Sequence, residues 1–441
     1  DAVYAAIPKL ACVLPADIEA GLAVARELED NPRGRAVLDQ LIENAAIAAE
    51  DRVPICQDTG TVWVSLEIGP DVAVRGDVFA DVDDAVARAY DEARLRKSVV
   101  RDAVLDRANT GDNTPAFCDV HPVDEPGAAR LHVMLKGGGS DNASRVVMLV
   151  PGAGKQGIVD ELVRCVREKG ANACPPLVVG VGIGSTFDKV AGLAKRALMR
   201  PVDEPAADDR LRALEEELLA AVNATGIGPG GLGGRTTALA VRVATAPCHI
   251  AALPLAINMG CSAMRRITVP LACQPAERLD AAASRFRSKP SLTSLNLRLI
   301  VRAVREAPRM RARRCAMASA DRIRLALPFD RAALARLEAG DSCLLTGPLY
   351  TLRDAGHVRL LAELEAAGGA LPYGLDGQAI FYAGPTPEAA GRPFGAVGPT
   401  TASRMDFAAP ALHRAGVAAT VGKGRRSSEV RDACRATGSV Y

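Results

Sequence analysis

Apolar side chains recur at regular spacing along much of the chain. Over 128–135 the pattern alternates, with Leu131, Val133 and Leu135 in phase, which predicts a strand. A second series of short strands and turns begins near Arg322. Elsewhere apolar residues return every three or four positions, which predicts helices over 15–50, 83–101, 156–168 and 209–224. The chain is therefore expected to mix helices and strands.

The length of 441 residues is more than one ordinary core organises, so two domains are expected. Composition changes over 276–317, where eleven Lys or Arg residues accompany three Asp or Glu and no strand pattern is visible. We interpret this basic stretch as a solvated linker. The predicted domains are residues 1–275 and 321–441, joined by a linker over 276–320.

Charge and hydropathy argue against two classes of partner. A formal net charge of +2 gives no long-range field for nucleic acid or a membrane surface. Apolar runs such as 176–183 and 251–257 are far shorter than the ~20 residues that span a bilayer. The N-terminal Asp-Ala-Val-Tyr has neither the basic segment nor the apolar core of a secretion signal. We therefore expect a cytoplasmic protein without a nucleic-acid or membrane partner.

Eleven cysteines are scattered along the chain without the short spacings of a disulfide framework. They indicate a reducing compartment, where most thiols pack as small apolar groups and a few bind metal. Three have distinctive neighbours: Cys56 lies near Asp58 in PICQDTG, Cys174 precedes two prolines, and Cys261 follows Asn-Met-Gly. Thiolates bind soft metals, and a carboxylate can act as acid or base. The prolines predict that Cys174 lies outside a helix.

Longer strings resemble one enzyme family. This chain resembles class I, iron–sulfur-dependent fumarate hydratases, which have an alpha and a beta part. It is similar to their beta part at GD-x-x-LLTG, LRDAGH, FYAGP, VGPTTASRMD and GKG. The alpha part is similar at PICQDTG, LRKS, NTGDNTPA, KGGGSDNAS, ACPPLVVGVGIG, GIGPGGLGGRTTAL and HIAALPLAINMGC. These strings occur in the family's order over residues 40–265 and 322–435, so chance agreement is negligible.

The resemblance implies a 4Fe–4S cluster held by Cys56, Cys174 and Cys261, with one iron left open as a Lewis acid. It also implies an N-terminal α+β cluster-binding domain followed by a C-terminal α/β domain of the swivelling type. Cys248 adjoins His249, a candidate site residue, and is not expected to bind metal. The remaining cysteines match no ligand motif, and we expect packing thiols at Cys12, Cys118, Cys165, Cys273, Cys315, Cys343 and Cys434.

The implied activity is the reversible hydration of fumarate to L-malate. The family pattern assigns the base to Thr400 and acid/base work on the other side to Asp58. Arginine suits a dicarboxylate because its guanidinium binds carboxylate through two parallel hydrogen bonds. His249 matches a histidine that reaches the active site of the partner subunit, so a homodimer is expected. The implied substrate-binding residues are Gln57, Arg96, Gly138, His249, Arg353, Arg404 and Lys423.

Several alternatives stay open. L-tartrate dehydratase shares the CQDTG and CPP strings, and mesaconate differs from fumarate by one methyl, worth only ~1–3 kcal/mol of discrimination. An inactive iron–sulfur sensor would need only the cysteines, so the presence of Thr400, Arg404, Lys423 and Asp58 favours an enzyme. The family pattern also predicts additional chain beyond Tyr441.

Two glycine-rich stretches could suggest nucleotide binding. Gly137–Ser140 lacks the Lys-Ser/Thr pair of a phosphate-binding loop, and Gly180–Ser185 lacks the third glycine of a dinucleotide fingerprint. We expect these glycines instead to let the backbone approach the cluster or substrate closely.

Overall fold

The computed structural model describes residues 1–74, 76–272, 323–388 and 394–441. The linker predicted at 276–320 and the thiols of Cys273 and Cys315 lie outside these ranges. Among the described residues, every helix is too short or too polar to cross a lipid bilayer.

Helices occupy much of the first half of the described chain. In chain order the α-helices are α1 (Ala2–Cys12), α2 (Ala16–Leu28), α3 (Pro32–Asp51), α4 (Val82–Glu92), α5 (Gly138–Asp141), α6 (Gly154–Lys169), α7 (Phe187–Ala197), α8 (Asp209–Asn223), α9 (Arg331–Leu334), α10 (Asp354–Ala366), α11 (Ala409–Ala415) and α12 (Ser428–Thr437).

Strands alternate with these helices. They are β1 (Thr61–Ile68), β2 (Phe117–Pro122), β3 (Ala129–Lys136), β4 (Arg145–Leu149), β5 (Leu177–Ser185), β6 (Ala238–Cys248), β7 (Leu253–Gly260), β8 (Arg265–Pro270), β9 (Ile323–Ala326), β10 (Cys343–Thr346), β11 (Tyr350–Thr351), β12 (Ala379–Phe381) and β13 (Ala419–Val421). The mixed helix-and-strand fold predicted from the sequence is confirmed.

The first compact unit consists of Asp1–Pro15, Thr59–Lys136 and, beyond these, residues 265–272. Its sheet has the order β2-β1-β3-β8, in which β1 is parallel to β2 and antiparallel to β3. Helices α1 and α4 pack on this sheet, and Ile7 and Tyr90 are fully buried with Val133. The alternation that predicted a strand near 128–135 is the inward-facing pattern of β3.

The second unit consists of Ala16–Asp58, Gly137–Met264 and the described residues from Ile323 onward. One of its sheets has the order β4-β7-β5-β6, with β5 parallel to β6 and antiparallel to β7. Helices α6 and α8 cover this sheet through Leu162 and Leu218. A smaller parallel sheet, β11-β12-β13, packs with α10 and α11 through Leu360, Ile380 and Leu412.

The glycines of β5 serve packing. A Cβ at Gly182 would lie 2.6 Å from the carbonyl oxygen of Val190 in α7, and one at Gly180 would overlap the carbonyl of Ala194. Their lack of a side chain therefore lets α7 approach the strand. The expectation that Gly180 and Gly182 admit a cluster or substrate is wrong.

Two predicted helices differ from the observed ones. The helix predicted over 15–50 is divided at Pro32, where the Asn31 side chain caps α3 by accepting the N–H of Arg33 at 2.9 Å. The helix predicted over 83–101 ends at Glu92 because Arg94 adopts a left-handed backbone conformation, with φ of 51°. The apolar spacing continues past this end because Leu95 is buried in the same core.

Candidate active site

Cys56 lies on the short segment between α3 and β1. The Asn44 side chain donates a hydrogen bond to the carbonyl of Ile55 at 2.9 Å, which fixes this segment to α3. The Cys56 thiol is half-buried and accepts the N–H of Asp58 at 3.4 Å. The sulfur and the Asp58 carboxylate are therefore held on one tight turn.

Cys174 follows a 3-10 turn over Gly170–Ala173 and has a left-handed backbone conformation, with φ of 60°. The prediction from the following prolines, that Cys174 lies outside a helix, is confirmed. Its carbonyl accepts the N–H of Ser262 at 3.0 Å, directly after Cys261 at the end of β7. This bond ties the second and third candidate ligands together through their backbones.

Lys423 interacts with all three candidate cysteines. Its ammonium donates a hydrogen bond to the Cys174 sulfur. Burial alone favours the neutral amine, but the charge and hydrogen bond of Cys174 and the charges of Cys56 and Cys261 raise the pKa of Lys423 above its ordinary value. The half-buried Lys423 ammonium therefore contacts one candidate ligand and feels the charge of the other two, although the three sulfurs come from distant parts of the chain.

This donor set fits an iron–sulfur cluster. All three thiols are half-buried and none forms a disulfide. Within the described ranges, no three His, Cys, Asp or Glu side chains lie near enough to share one metal ion. A cubane cluster has a different requirement, because each thiolate binds a different iron atom.

Three further candidate site residues lie on the Cys56 turn or contact it: Gln57, Asp58 and Gly138. The Asp58 Oδ2 atom accepts the N–H of Gly138 at 2.9 Å, at the start of α5. Gln57 is buried, and its Oε1 atom accepts the N–H groups of Gly384 at 3.2 Å and Gly398 at 3.3 Å. Gln57 thus connects the cysteine turn to the C-terminal strands and loops of the same unit.

Thr400 and Lys423 are held side by side through their backbones. The N–H of Lys423 donates to the Thr400 carbonyl at 3.1 Å, and the N–H of Ala402 donates to the Lys423 carbonyl at 2.8 Å. The N–H of Thr400 donates to the carbonyl of Tyr382 at 2.6 Å. The structure therefore brings Thr400 together with Lys423 and, through Lys423, with the cysteines.

Arg404 forms a forked ion pair that the sequence reasoning missed. Its Nε and Nη2 atoms donate to the two carboxylate oxygens of Asp354 at 2.9 and 2.5 Å. Asp354 follows Arg353, whose carbonyl accepts the Nδ1–H of buried His357 at 2.9 Å. Burial lowers the pKa of His357, which favours the neutral ring. The DAGH segment thus positions both candidate arginines. The sequence signal for the Arg404 ion pair was that Asp354 directly follows Arg353.

Arg96 and His249 are the two remaining predicted site residues. Arg96 belongs to the first unit, where its carbonyl accepts the Thr59 hydroxyl at 2.7 Å and its Nε donates to Ser98 at 3.3 Å. His249 lies in the second unit, at the exposed turn between β6 and β7, and its Nδ1 accepts the N–H of Ala251 at 3.1 Å.

A buried cation three residues after Lys423, Arg426, was also missed. The Arg426 guanidinium lies 5.2 Å from the ring centre of Tyr382 and 4.7 Å from that of Tyr441, and it pairs with Asp406 at 2.7 Å. The Tyr441 hydroxyl donates to the Gly424 carbonyl at 2.7 Å. Burial raises the pKa of Tyr441 to about 12, which keeps this donor protonated. No feature of the sequence marked these contacts beforehand.

The remaining thiols divide into two groups. Cys12 and Cys165 are buried and Cys434 is half-buried, in accord with packing roles. The same expectation is wrong for Cys118 and Cys343, which are exposed on β2 and β10. Cys248 is exposed too, and its sulfur donates to the Ala252 carbonyl at 3.3 Å across the turn after β6.

Comparison with known proteins places these features in a family. The family model described as fumarate hydratase (Fumerase) matches residues 1–270, and the one described as fumarase C-terminus matches residues 298–441. The class I, anaerobic fumarate hydratase of Escherichia coli K12 is 31% identical over 446 aligned positions, covering 97% of this chain and 76% of that protein.

Two tartrate dehydratase subunits are similar to the N-terminal part. The putative L(+)-tartrate dehydratase subunit alpha of Methanocaldococcus jannaschii is 37% identical over 272 positions, covering 60% of this chain and 95% of that protein. The L(+)-tartrate dehydratase subunit alpha of Escherichia coli K12 is 30% identical over 261 positions, covering 58% of this chain and 85% of that protein. Together with the two family matches, these similarities show that the chain belongs to the class I fumarate hydratase family of hydro-lyases.

Proposed function

We propose that this protein reversibly hydrates fumarate to L-malate. The observation that carries the proposal is the extent of similarity. The fumarate hydratase relative aligns with 97% of the chain, including the segments that hold Thr400, Arg404 and Lys423, whereas the two tartrate dehydratase subunits align with 60% or less.

Cys56, Cys174 and Cys261 are the residues that would hold a 4Fe–4S cluster. When bound, such a cluster supplies a Lewis-acidic iron for the hydroxyl and carboxylate of the substrate. Lys423 compensates the negative charge of the thiolates, since its ammonium contacts Cys174 and is influenced by the other two sulfurs.

The arginines are suited to a dicarboxylate. Arg404 keeps Nη1 outside its fork with Asp354, so the guanidinium can present N–H groups to a carboxylate while Asp354 fixes its plane. Arg353 packs against Gly384, whose missing side chain leaves room for the guanidinium. Arg96 and Gln57 complete the proposed set of substrate-binding residues.

Thr400, the proposed base, is hydrogen-bonded through its backbone to Lys423, and Asp58, the proposed acid, lies on the turn that carries Cys56. In the dehydration direction, the Thr400 side chain, as its alkoxide, takes the proton alpha to a carboxylate and becomes a hydroxyl. The cationic Lys423 and Arg404 would stabilise the alkoxide before the transfer and the negative charge on the substrate after it. Asp58, whose carboxylate is oriented by the N–H of Gly138, acts as the acid or base on the opposite side of the substrate.

L-tartrate dehydration is the second candidate, because the methanococcal alpha subunit is 37% identical to this chain, more than the 31% of the fumarate hydratase. The two reactions share the alpha-proton step and differ in the groups on the substrate carbons. A site that hydrogen-bonds the additional hydroxyl of tartrate would discriminate strongly against malate, which lacks it.

Turnover after anaerobic reconstitution with iron and sulfide tests the proposal. We expect the highest kcat/KM with fumarate and L-malate, and lower values with L-tartrate and mesaconate. Preference for L-tartrate would transfer the assignment to the second candidate. A loaded protein that turns over none of these substrates would support the sensor alternative, and cofactor-dependent activity with NAD would reject both hydro-lyase assignments.

We also propose a cytoplasmic homodimer in which His249 acts across the interface. The exposure of His249 and of Ile250, which is 91% exposed, supports this proposal because it leaves the turn between β6 and β7 accessible to a second chain. Mixing an inactive Thr400→Ala chain with a His249→Ala chain tests it. Mixed dimers should recover activity in one of their two sites, and absence of recovery despite dimer exchange would reject the shared site.

A further inference from the structure

A buried carboxylate lies far along the chain from the candidate ligands. Glu29, just after α2, is fully buried. Its two oxygens accept the N–H of Asn31 at 3.0 Å, that of Arg235 at 3.1 and 2.9 Å, and that of Thr236 at 3.4 Å. Because a buried carboxylate is costly unless hydrogen-bonded, these backbone donors fix its position, and the carboxylate in turn fixes theirs.

The donors belong to the glycine-rich loop over 226–236. Gly234 has φ of 136°, and a Cβ there would lie 2.6 Å from the Glu29 Oε2 atom. The base of the loop is closed by the N–H of Gly228, which donates to the Thr237 hydroxyl at 3.1 Å. The loop is therefore anchored on one side by its own base and on the other by Glu29.

The same loop reaches the cysteines. The N–H of Gly230 donates to the carbonyl of Pro175 at 2.8 Å, immediately after Cys174. The carbonyl of Cys174 accepts the N–H of Ser262, which follows Cys261. Hydrogen bonds and the backbone of the loop thus connect the Glu29 carboxylate to the segments that carry two candidate ligands.

We propose that Glu29 is a positioning residue for the cluster, holding Cys174 and Cys261 in their ligand geometry through the 226–236 loop. The inference rests on the proposed cluster-binding function. It assigns to this loop a role in shaping the thiol site, instead of contact with substrate or nucleotide. Cys56 lies on a turn that Asn44 fixes to the middle of α3, and Glu29 holds only the N-terminal end of that helix through Asn31, so Cys56 should depend on Glu29 less than the other two cysteines do.

Thiol reactivity in the cluster-free protein tests the proposal without activity. In Glu29→Gln an amide NH₂ replaces one acceptor and faces backbone donors, so the loop should loosen. We expect Cys174 and Cys261 to be alkylated several-fold faster than in the wild type, measured peptide by peptide by mass spectrometry, with a smaller change at Cys56. Glu27→Gln, an exposed change on α2, is the matched control and should change none of the rates.

A second variant approaches the same contact from the loop. Gly234→Ala places a methyl group against the Glu29 carboxylate and should reproduce the selective change in Cys174 and Cys261 if Glu29→Gln does not fold. Iron and sulfide per chain after reconstitution should fall in both variants. Equal alkylation rates in folded Glu29→Gln or Gly234→Ala would overturn the proposal. A wild type that takes up no iron–sulfur would instead defeat the proposed function, and the alkylation comparison would still be valid.

Discussion

Replacing Arg426 by methionine tests how much this buried cation contributes to the free energy of unfolding. The Arg426 side chain is 3% exposed, and its partner Asp406 is 15% exposed. Removing one member of a buried ion pair costs about 3–5 kcal/mol because the other charge stays buried. Asp406 keeps the N–H of Ser427 at 2.7 Å, so the lower end applies. Loss of the contacts with the rings of Tyr382 and Tyr441 adds about 0.5–1 kcal/mol each. We therefore expect Arg426→Met to lower the free energy of unfolding by about 4–5 kcal/mol.

Urea unfolding at equilibrium measures this loss. Arg425→Met, at the exposed neighbouring position, is the control and should change the free energy of unfolding by no more than ~0.5 kcal/mol. Arg426→Lys keeps the charge but loses the planar fork, so its loss should be intermediate. A change below ~1 kcal/mol in Arg426→Met would refute the reasoning, because it would mean that Asp406 is solvated without its partner.

The remaining predictions concern two ion pairs and the Tyr441 hydroxyl. In Asp354→Asn the forked partner of Arg404 is weakened, and because this pair is half-exposed, stability should change by less than ~1 kcal/mol. The KM for the dicarboxylate should nevertheless rise, and an unchanged KM would argue against the positioning of Arg404 by Asp354. In Tyr441→Phe the hydrogen bond to the Gly424 carbonyl is lost, so kcat should fall without loss of bound iron; an unchanged kcat would show that this bond does not position Lys423. The His132 ring, whose Nε2 atom lies 3.1 Å from the carboxylate, and the hydrogen bond from Arg130 lower the pKa of Glu67 to about 2 from 4.5. The wild type should therefore exceed Glu67→Gln in unfolding free energy above about pH 4.5, and this excess should disappear as the pH falls toward 2; an excess that is unchanged at low pH would contradict the assignment.

Local patterns in the sequence predicted much of the fold. Alternation identified β3, and the prolines after Cys174 placed that residue outside a helix. The prediction failed where tertiary packing decided the conformation. The helix expected over 83–101 ends at Glu92, although its apolar period continues through Leu95, because periodicity reports burial and a buried loop residue satisfies it equally well.

The polar part of the site was less predictable. Similar motifs identified the cysteines, Thr400 and Lys423, and these are brought together by long-range contacts in the second unit. Glu29 and Arg426 were missed because charged residues are ordinarily exposed, and Asp354 was missed because its partner Arg404 lies 50 residues away. Their importance depends on partners far along the chain, and no local spacing reports such pairing.

Iron and sulfide analysis after anaerobic reconstitution tests the central claim most directly, that three distant thiols share one cluster. The wild type and Thr400→Ala should each contain about four iron and four sulfide per chain, with turnover in the wild type alone. Cys56→Ser, Cys174→Ser and Cys261→Ser should each lose most of the bound iron and the visible absorbance. The exposed thiol variant Cys118→Ser should keep both. A full cluster in Cys174→Ser would contradict the account, because the sulfur in contact with Lys423 would then have no part in holding the iron.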